Sequence, residues 1–543
     1  MQLVAYGAQD VYLTGQPQIT FFKVVYRRHT NFSVEPIQQT FQGAAEFGRT
    51  ITCNVNRNGD LISHMYLVAI LGKGERTDYG WVSKLGYAMI ENVKVEVGGS
   101  KIDEQYGDWL NVWSELTRNC CHDVAHNRMI GNVPELTRIG TTANPAGDAD
   151  KDYTMYVPLK FWFNRNNGLA LPLIALQYHD VRVTFKLREA CHLINYYGSE
   201  EPSVGNNKMK DAYLLIDYIY LDSEERKRFA QAAHEYLIEQ VQFTGDETYG
   251  NENEKYRLNF NHPSKFIVWN TGLERYTNTQ QWVSWAVDGD WEKARELFAK
   301  RIWISTRKDL GKSGNTYSVT FDDSTMELGD VSPMAGTGVV PNDSVVQKIA
   351  NKIDAQFLFD GTSGVGGVNA SENNVVILRN DVTWEDMNNV ISELGFHATG
   401  ATNNTDYLKS VGPSVRDYFN YSNNPNCHGN PTKSAKLQLN GHDRFSKRDG
   451  NYFNYVQPYQ HFSVTPCDGI NVYSFALKPE DHQPSGTCNF SRIDNTTLNL
   501  ETTFADAPMK NKTAGKAGVT RIYCVNYNVF RVMSGMGGLA YSN

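Results

Sequence analysis

A chain of 543 residues with 41% hydrophobic and 21% charged residues holds enough apolar matter for packed cores, which excludes general disorder. Its net charge of −8 gives an average surface that repels phosphate, so the chain offers no basic footprint for nucleic acid. The 30 Tyr and 25 Phe favour strands, where rings pack across pleated faces, and the length fits two large β domains.

Met1 to Thr20 carries Gly7, Gly15 and Pro17 and reads as an extended arm without a core of its own, placed over residues 1–25. Ile51, Cys53 and Val55 alternate with polar residues, Asn58-Gly59-Asp60 predicts a tight hairpin, and Leu61 to Leu71 returns as a buried strand. Val93, Val95 and Val97 alternate up to Gly98-Gly99, with Ile102 resuming the pattern in a second hairpin. Trp109, Val112, Trp113 and Leu116 fall at i, i+3, i+4 and i+7, the stripe of a short amphipathic helix. Such stripes are core, and no cofactor is assigned to it. Tyr153 to Phe163, Leu169 to Leu176, Val181 to Leu187 and Ala212 to Leu221 read as strands, which brings the first domain, 26–221, to the eight expected of a jelly roll.

Asp222 and Glu225 have the spacing of a capping box, and Phe229, Ala233, Tyr236 and Leu237 supply one face of a helical linker over 222–240. A second series with the same grammar follows over 241–543. Leu258 to Asn261, His262-Pro263 and Lys265 to Trp269 echo Ile51 to Val55, Asn58-Gly59 and His64 to Val68; Leu437, Leu439, Asn440-Gly441 and Phe445 echo Val95, Val97, Gly98-Gly99 and Ile102. Leu498 and Leu500 echo Val183 and Phe185, so a domain is duplicated with unequal loops. The largest difference is an insertion over 288–431, with packing residues such as Trp291, Phe357 and Val375, too long for a plain loop. Near the C-terminus, Val472 to Leu477 and Thr496 to Leu500 are strands around a polar loop, Lys478 to Gly486. The expected fold is all-β: two consecutive eight-stranded jelly rolls with short helices and a large loop insertion in the second.

Candidate chemistry is sparse. Gly311-Lys312-Ser313 resembles the end of a phosphate loop, but Thr306 stands where its first glycine belongs. Cys120-Cys121-His122 with His126 lacks the spacing of a metal site. His179-Asp180 and Asp481-His482 have no nucleophile context and read as loop groups that satisfy turn backbone. No catalytic, cofactor-binding or metal residue is assigned, and no enzyme activity is expected. Sequons stand at Asn31, Asn369, Asn403, Asn420, Asn489, Asn495 and Asn511. The eight cysteines are scattered, no basic and apolar leader opens the chain, and no apolar run approaches the ~18 residues that cross a bilayer, so free thiols in a reducing compartment are expected.

The wording is more specific than the pattern. Ser474 to Leu477 with Pro479, Gln483-Pro484-Ser485-Gly486, Asn489-Phe490-Ser491-Arg492 and Asp494 resembles a signature of the major capsid proteins of nucleocytoplasmic large DNA viruses. Ala5 to Asp10, Phe21 to Phe32, and Glu224 to Gln240 resemble the same family's N-terminal and linker wording. The resemblance implies a double jelly roll, with the N-terminal arm on the inner side of the shell. It further implies a homotrimeric, pseudo-hexagonal capsomer in the icosahedral capsid of a virion assembled in host cytoplasm. The partners implied are the chain itself, neighbouring capsomers, minor capsid and penton proteins and, indirectly, an internal membrane, with no direct nucleic acid. The rival reading is a carbohydrate-binding or carbohydrate-active β-sandwich protein, which as a glycosidase needs two carboxylates roughly 5 to 10 Å apart across a cleft.

Overall fold

The computed structural model describes most of residues 22–272 and 429–541; 138–150, 197–202, 249–252 and 503–518 are the longest stretches left out there. A few residues before 22 are described. Between 273 and 428 only Thr320–Phe321, Gln356–Phe359, Asn374–Ile377, Ala398–Thr399 and Tyr421 are.

The first eight principal strands are β1 (Phe32–Thr40), β2 (Thr50–Asn54), β3 (Leu61–Leu71), β4 (Ile90–Val97), β5 (Ser100–Tyr106), β6 (Tyr153–Pro158), β7 (Val181–Leu187) and β8 (Met209–Leu221). They form two sheets, ordered β1-β8-β3-β6 and β2-β7-β4-β5. The next eight are β9 (His234–Thr248), β10 (Asn253–Arg257), β11 (Pro263–Gly272), β12 (Thr432–Leu439), β13 (His442–Asp443), β14 (Ile470–Ser474), β15 (Thr496–Thr502) and β16 (Val519–Met533). Their orders are β9-β16-β11-β14 and β10-β15-β12-β13, the first pair with eight added to every number. Each set is an eight-stranded jelly roll, and the chain carries two.

Local residue choice explains the pairing. In β4 the valines Val93, Val95 and Val97 are buried while Lys94 and Glu96 between them are half-buried, the period of a strand with one core face. The hairpin to β5 turns on Gly98 and Gly99 at φ 59° and 81°, and that from β12 to β13 turns on Asn440 and Gly441 at φ 50° and 81°. Two consecutive left-handed residues make the turn whose twist matches the strands, and glycine and asparagine tolerate it. Ile51, Cys53, Leu67, Val95, Phe185 and Leu214 meet between the first two sheets; Ile267, Trp269, Leu437, Leu498, Ile522 and Cys524 meet between the second two.

Several expectations change. Asn58-Gly59 is no hairpin turn: β2 pairs with β7 and β3 with β8, so the chain crosses from one sheet to the other there. Leu169 to Leu176 keeps only Leu171–Pro172 as strand before a 3₁₀ turn at Leu173–Ala175, where proline supplies no ladder donor. Tyr153 to Phe163 ends as strand at Pro158 and becomes helical over Trp162–Arg165. The strand expected at Leu258 to Asn261 lies just upstream, at Asn253–Arg257.

The linker helix covers only Ser223–Gln231, and Tyr236 and Leu237 belong to β9, paired with Phe530 and Val529 of β16. That helix buries none of its residues, so no apolar face carries it past Ala232, whereas a strand over His234 to Gln240 gains a complete ladder. Asp222 caps through the Ser223 N–H at 2.7 Å, and Asp60 fixes the crossover by accepting from Leu221 N at 2.9 Å and pairing with Arg226 Nε at 3.0 Å. Most of the 288–431 insertion, including Trp291, lies outside the described residues; Gln356–Phe359 and Asn374–Ile377 pair as an antiparallel ribbon.

The helix α1 (Gly107–Thr117) follows β5 directly and buries every residue from Gly107 to Leu116. A Cβ on Gly107 would overlap the carbonyl oxygens of Tyr87 and Ile90. Gly107→Ala is expected to cost on the order of 3 kcal/mol, because backbone must move to admit the methyl. An unchanged melting temperature would show that the helix start yields more easily than this packing implies.

Candidate functional site

The sheet β9-β16-β11-β14 is covered on both faces. Ile267, Trp269, Ile522 and Cys524 face the second roll's own core, while Phe266, Val268, Tyr523 and Val525 join the hydrophobic cluster of the first roll. Alternation along each strand makes this possible, since neighbouring residues leave the sheet on opposite sides.

The side facing the first roll is covered by α1. Trp109 and Trp113, one helical turn apart, stack on Phe266 with ring centroids 6.2 and 6.4 Å away, and Trp109 lies 5.6 Å from Tyr523. Tyr106 and Phe243 extend the cluster at 4.7 Å, and Trp162 meets Phe530 at 5.9 Å. At the far end, Tyr178 N donates to Gly535 O at 3.0 Å, and His179 Nδ1 lies 2.9 Å from Gly537 O. The aromatic stripe expected to be core is therefore the seam between the two rolls.

Charge is buried in the same seam. Glu239 on β9 is 4% exposed; its Oε1 receives Lys265 Nζ at 2.9 Å, and its Oε2 lies 3.0 Å from Arg165 Nη2. His482 Nδ1 is 3.6 Å from Glu239 Oε1, and Lys265 Nζ also donates to the Asp481 carbonyl at 3.0 Å. The Arg165 guanidinium lies 4.6 Å over the Trp113 ring. Burial alone would raise the Glu239 carboxyl, but Arg165, His482 and Lys265 outweigh it and hold it at about 2. One carboxylate thus ties together the first roll, the second roll and the loop Lys478 to Gly486.

A second buried carboxyl behaves in the opposite way. Asp103 on β5 accepts from Val241 N of β9 at 3.1 Å and from Gln105 Nε2 at 3.1 Å, while Gln240 Nε2 donates to Ile102 O beside it. Burial pushes Asp103 up to about 7, against the lowering pull of the Val241 N–H, Gln105 and Arg165. Arg521 adds a further clasp, pairing with buried Asp108 of α1 and, at 2.7 Å, with Asp246 of β9.

Asp481 and His482, read from sequence as turn groups, instead address the buried Lys265–Glu239 pair, which anchors their loop inside its own chain. His179 serves the contact with the C-terminal turn, and Asp180 pairs with Arg57 at 3.2 Å. His126 Nε2 sits 3.0 Å from the Tyr87 hydroxyl, and burial pulls its ring down to about 4. Gly311-Lys312-Ser313 lies outside the described residues.

A groove of about 650 Å³ opens beside β1 and β8, lined by Lys73, Lys208, Lys210, Asp152, Glu46 and Tyr213. There Lys210 holds the Asp152 carboxyl below its usual range, the reverse of what a glycosidic general acid requires. Sequence reasoning missed Glu239, Lys265 and Asp103. The available signal was a lone charge inside an apolar run: Glu239 after Tyr236-Leu237-Ile238, and Lys265 before Phe266-Ile267-Val268-Trp269.

Comparison with known proteins agrees with this architecture. Residues 225–538 match the family described as large eukaryotic DNA virus major capsid protein, and residues 20–222 match the major capsid protein N-terminus. The chain is 42% identical to capsid protein 1 of Acanthamoeba polyphaga mimivirus and 42% identical to the major capsid protein of Phaeocystis pouchetii virus, over 100% of this chain and 99% of each relative. A quasi-atomic structure of the PBCV-1 virus capsid superposes with a TM-score of 0.60 at 33% identity, covering 96% of this chain and 100% of that one. The Faustovirus major capsid protein shares the fold at a TM-score of 0.57 and 13% identity, over 96% of this chain and 94% of that chain. Two jelly rolls of one strand order, fused through a buried seam and matched along their whole length, place the chain in the large eukaryotic DNA virus major capsid protein family, as a building block of the capsid.

Proposed function

We propose that the chain works as a homotrimer, a capsomer with three-fold symmetry and pseudo-six-fold outline, in the icosahedral shell of a large DNA virus. The observation that carries this reading is the repeated strand order: two similar sandwiches lie side by side in each chain, so three chains in a ring present six. Cyclic closure then sets the first roll of one chain against the second roll of the next, a heterologous interface. The working units are an arm over 1–25, a first roll over 26–221, a helical linker that ends before β9, a second roll from β9 to residue 543, and the insertion 288–431 as a separate feature of that roll.

The protein acts by assembly rather than catalysis. Its partners are neighbouring capsomers, minor capsid and penton proteins and, at one remove, an internal membrane layer. The capsomer assembles in host cytoplasm, a compartment that keeps scattered thiols such as Cys467 and Cys488 reduced.

Obligate contacts of this kind commonly bury on the order of 2,000 to 5,000 Å², so the trimer is expected to persist on dilution. Light scattering on the purified protein should give three times the chain mass, and electron microscopy should show hexagonal outlines. A stable monomer at micromolar concentration, at every salt concentration tried, would sink the reading.

A further inference from the structure

The two rolls differ in one respect that their common strand order makes visible. In the second roll, the outward residues Phe266, Val268, Tyr523, Val525 and Val472 of the β9-β16-β11-β14 sheet are all buried, and α1 of the first roll lies over Phe266 and Tyr523. In the first roll the corresponding face carries Tyr66, Val68, Ile70, Tyr156, Tyr213 and Leu215. Their pairing is laid out in the same way: Tyr66 opposite Leu215 and Val68 opposite Tyr213 here, Phe266 opposite Val525 and Val268 opposite Tyr523 there. On this face Val68 is buried, Tyr66, Ile70, Tyr213 and Leu215 are only half-buried, and Tyr156 is 40% exposed. The face carries apolar side chains at the counterpart positions, with the His64–Asp217 pair beside Tyr66 and Asp211 opposite Ile70, yet among the described residues it is the less covered of the two.

The covering element has a counterpart as well. After β5 comes Gly107-Asp108-Trp109-Leu110-Asn111; after the short strand Arg448–Asp449 comes Gly450-Asn451-Tyr452-Phe453-Asn454. Both glycines sit where a Cβ would overlap backbone carbonyl oxygen, from Tyr87 and Ile90 in one case and from Thr432 in the other. Leu110 and Phe453 are both fully buried in their own rolls. The second helical segment, π-helical over Tyr452–Val456 and α-helical over Gln457–His461, therefore stands to the second roll as α1 stands to the first. Unlike α1 it is uncovered on its outer side among the described residues: Tyr455, whose hydroxyl donates to Asp468, is 40% and Tyr459 83% exposed, with Val456 beside them.

Among the described residues, one chain thus contains a helix seated on a sheet, a second sheet face without such a helix, and a second helix without such a sheet. We propose that Tyr455, Val456 and Tyr459 of one copy seat on the Tyr66, Val68, Tyr156, Tyr213 and Leu215 face of another copy. This contact repeats between chains the one that α1 makes within the chain. It rests on the trimer reading and supplies the interface that the reading needs. The Lys478 to Gly486 loop takes no part in it, since Lys265 and Glu239 hold that loop within its own chain. Because the two halves of the contact lie on different rolls, each chain donates one and accepts one, the condition for a closed ring.

The test uses the full-length chain and two variants, Tyr459→Glu on the helix and Tyr156→Glu on the sheet. Both side chains are exposed, so each variant is expected to keep the wild-type melting temperature and circular dichroism. Each alone should be monomeric by light scattering where the wild type is a trimer. Mixed in equal amounts they should form a heterodimer and stop, since the mixture offers one intact helix and one intact face. Tyr459→Ala, which removes the ring without adding charge, should weaken association on the order of tenfold, and it decides the matter if a charged variant fails to fold. If the wild type is a trimer and the variants assemble equally well, the face is covered by something else, such as the chain's own 288–431 segment. That result overturns this contact and leaves the trimer standing. A monomeric wild type removes both.

Discussion

Replacing Glu239 by glutamine is expected to destabilise the protein by about 3 to 5 kcal/mol, because it leaves a fully buried ammonium and a largely buried guanidinium without their counter-charge. Lys265 has no exposed side-chain surface and cannot turn to water, and Arg165 is held over Trp113. The size of the effect reflects the uncompensated charge rather than the worth of the pair. Replacing both members with apolar residues, as in Glu239→Leu with Lys265→Met, is accordingly expected to recover most of the loss.

The pH dependence follows with a definite sign. Glu239 is depressed from 4.5 to about 2 in the folded chain, so its stabilisation is complete above pH ~4.5 and fades as pH falls toward 2. A shift of that size corresponds to roughly 3 kcal/mol, of the same order as the mutational cost. Urea midpoints at pH 6 for wild type, single and double variant measure the mutational effects, and wild-type midpoints at pH 3 and pH 6 measure the pH dependence. A single variant within 1 kcal/mol of wild type would mean that water reaches Lys265. Because Asp481 and His482 hang on the same pair, Glu239→Gln should also expose the Lys478 to Gly486 loop to protease before the chain unfolds globally.

What the sequence revealed and what it hid divide along physical lines. Strands with one core face, such as Val93 to Val97 and Thr496 to Leu500, were legible because burial on one side imposes alternation. The Gly98-Gly99 and Asn440-Gly441 hairpins were legible because their turns need left-handed residues. The Asn58-Gly59 turn carried the same letters and misled, since whether a turn joins paired strands or crosses between sheets depends on partners more than a hundred residues away. The linker helix was drawn too long because Phe229, Ala233, Tyr236 and Leu237 fit a helical stripe, while the ladder that β9 forms with β16 is a tertiary fact. Matching Lys265–Trp269 to His64–Val68 was one residue out of register: Val68 faces outward like Val268, whereas Trp269 faces the core. The seam itself was half visible. Its aromatic stripe was identified as core, but that the core belongs to two domains at once requires knowing which face of β11 meets α1.

Asp103→Asn is expected to reverse its effect with pH, which separates the desolvation of a charge from the loss of a hydrogen bond. Asp103 is raised from 3.8 to about 7 in the folded chain, first by burial, so the folded state disfavours its ionised form. Its contribution is fully present below pH ~3.8 and is lost as pH rises to about 7, a change of about 4 kcal/mol by linkage. Asparagine keeps an oxygen for the Val241 N–H but carries no charge, so above pH 7 the variant should be more stable than wild type, on the order of 2 to 3 kcal/mol. Near pH 4, where neither side chain is charged, the amide's N–H₂ faces the Nε2 of Gln105, and two donors in opposition should make the variant weaker by about 1 kcal/mol. Urea midpoints at pH 4 and pH 8 decide it: curves for wild type and variant that run parallel across that range would mean Asp103 stays ionised throughout. The two carboxyls pull in opposite directions, since Glu239's contribution grows until pH ~4.5 and Asp103's declines from pH ~3.8 upward. The wild-type seam should therefore be tightest at about pH 4 and looser at pH 8, where Val241 N–H accommodates a buried anion between the two rolls.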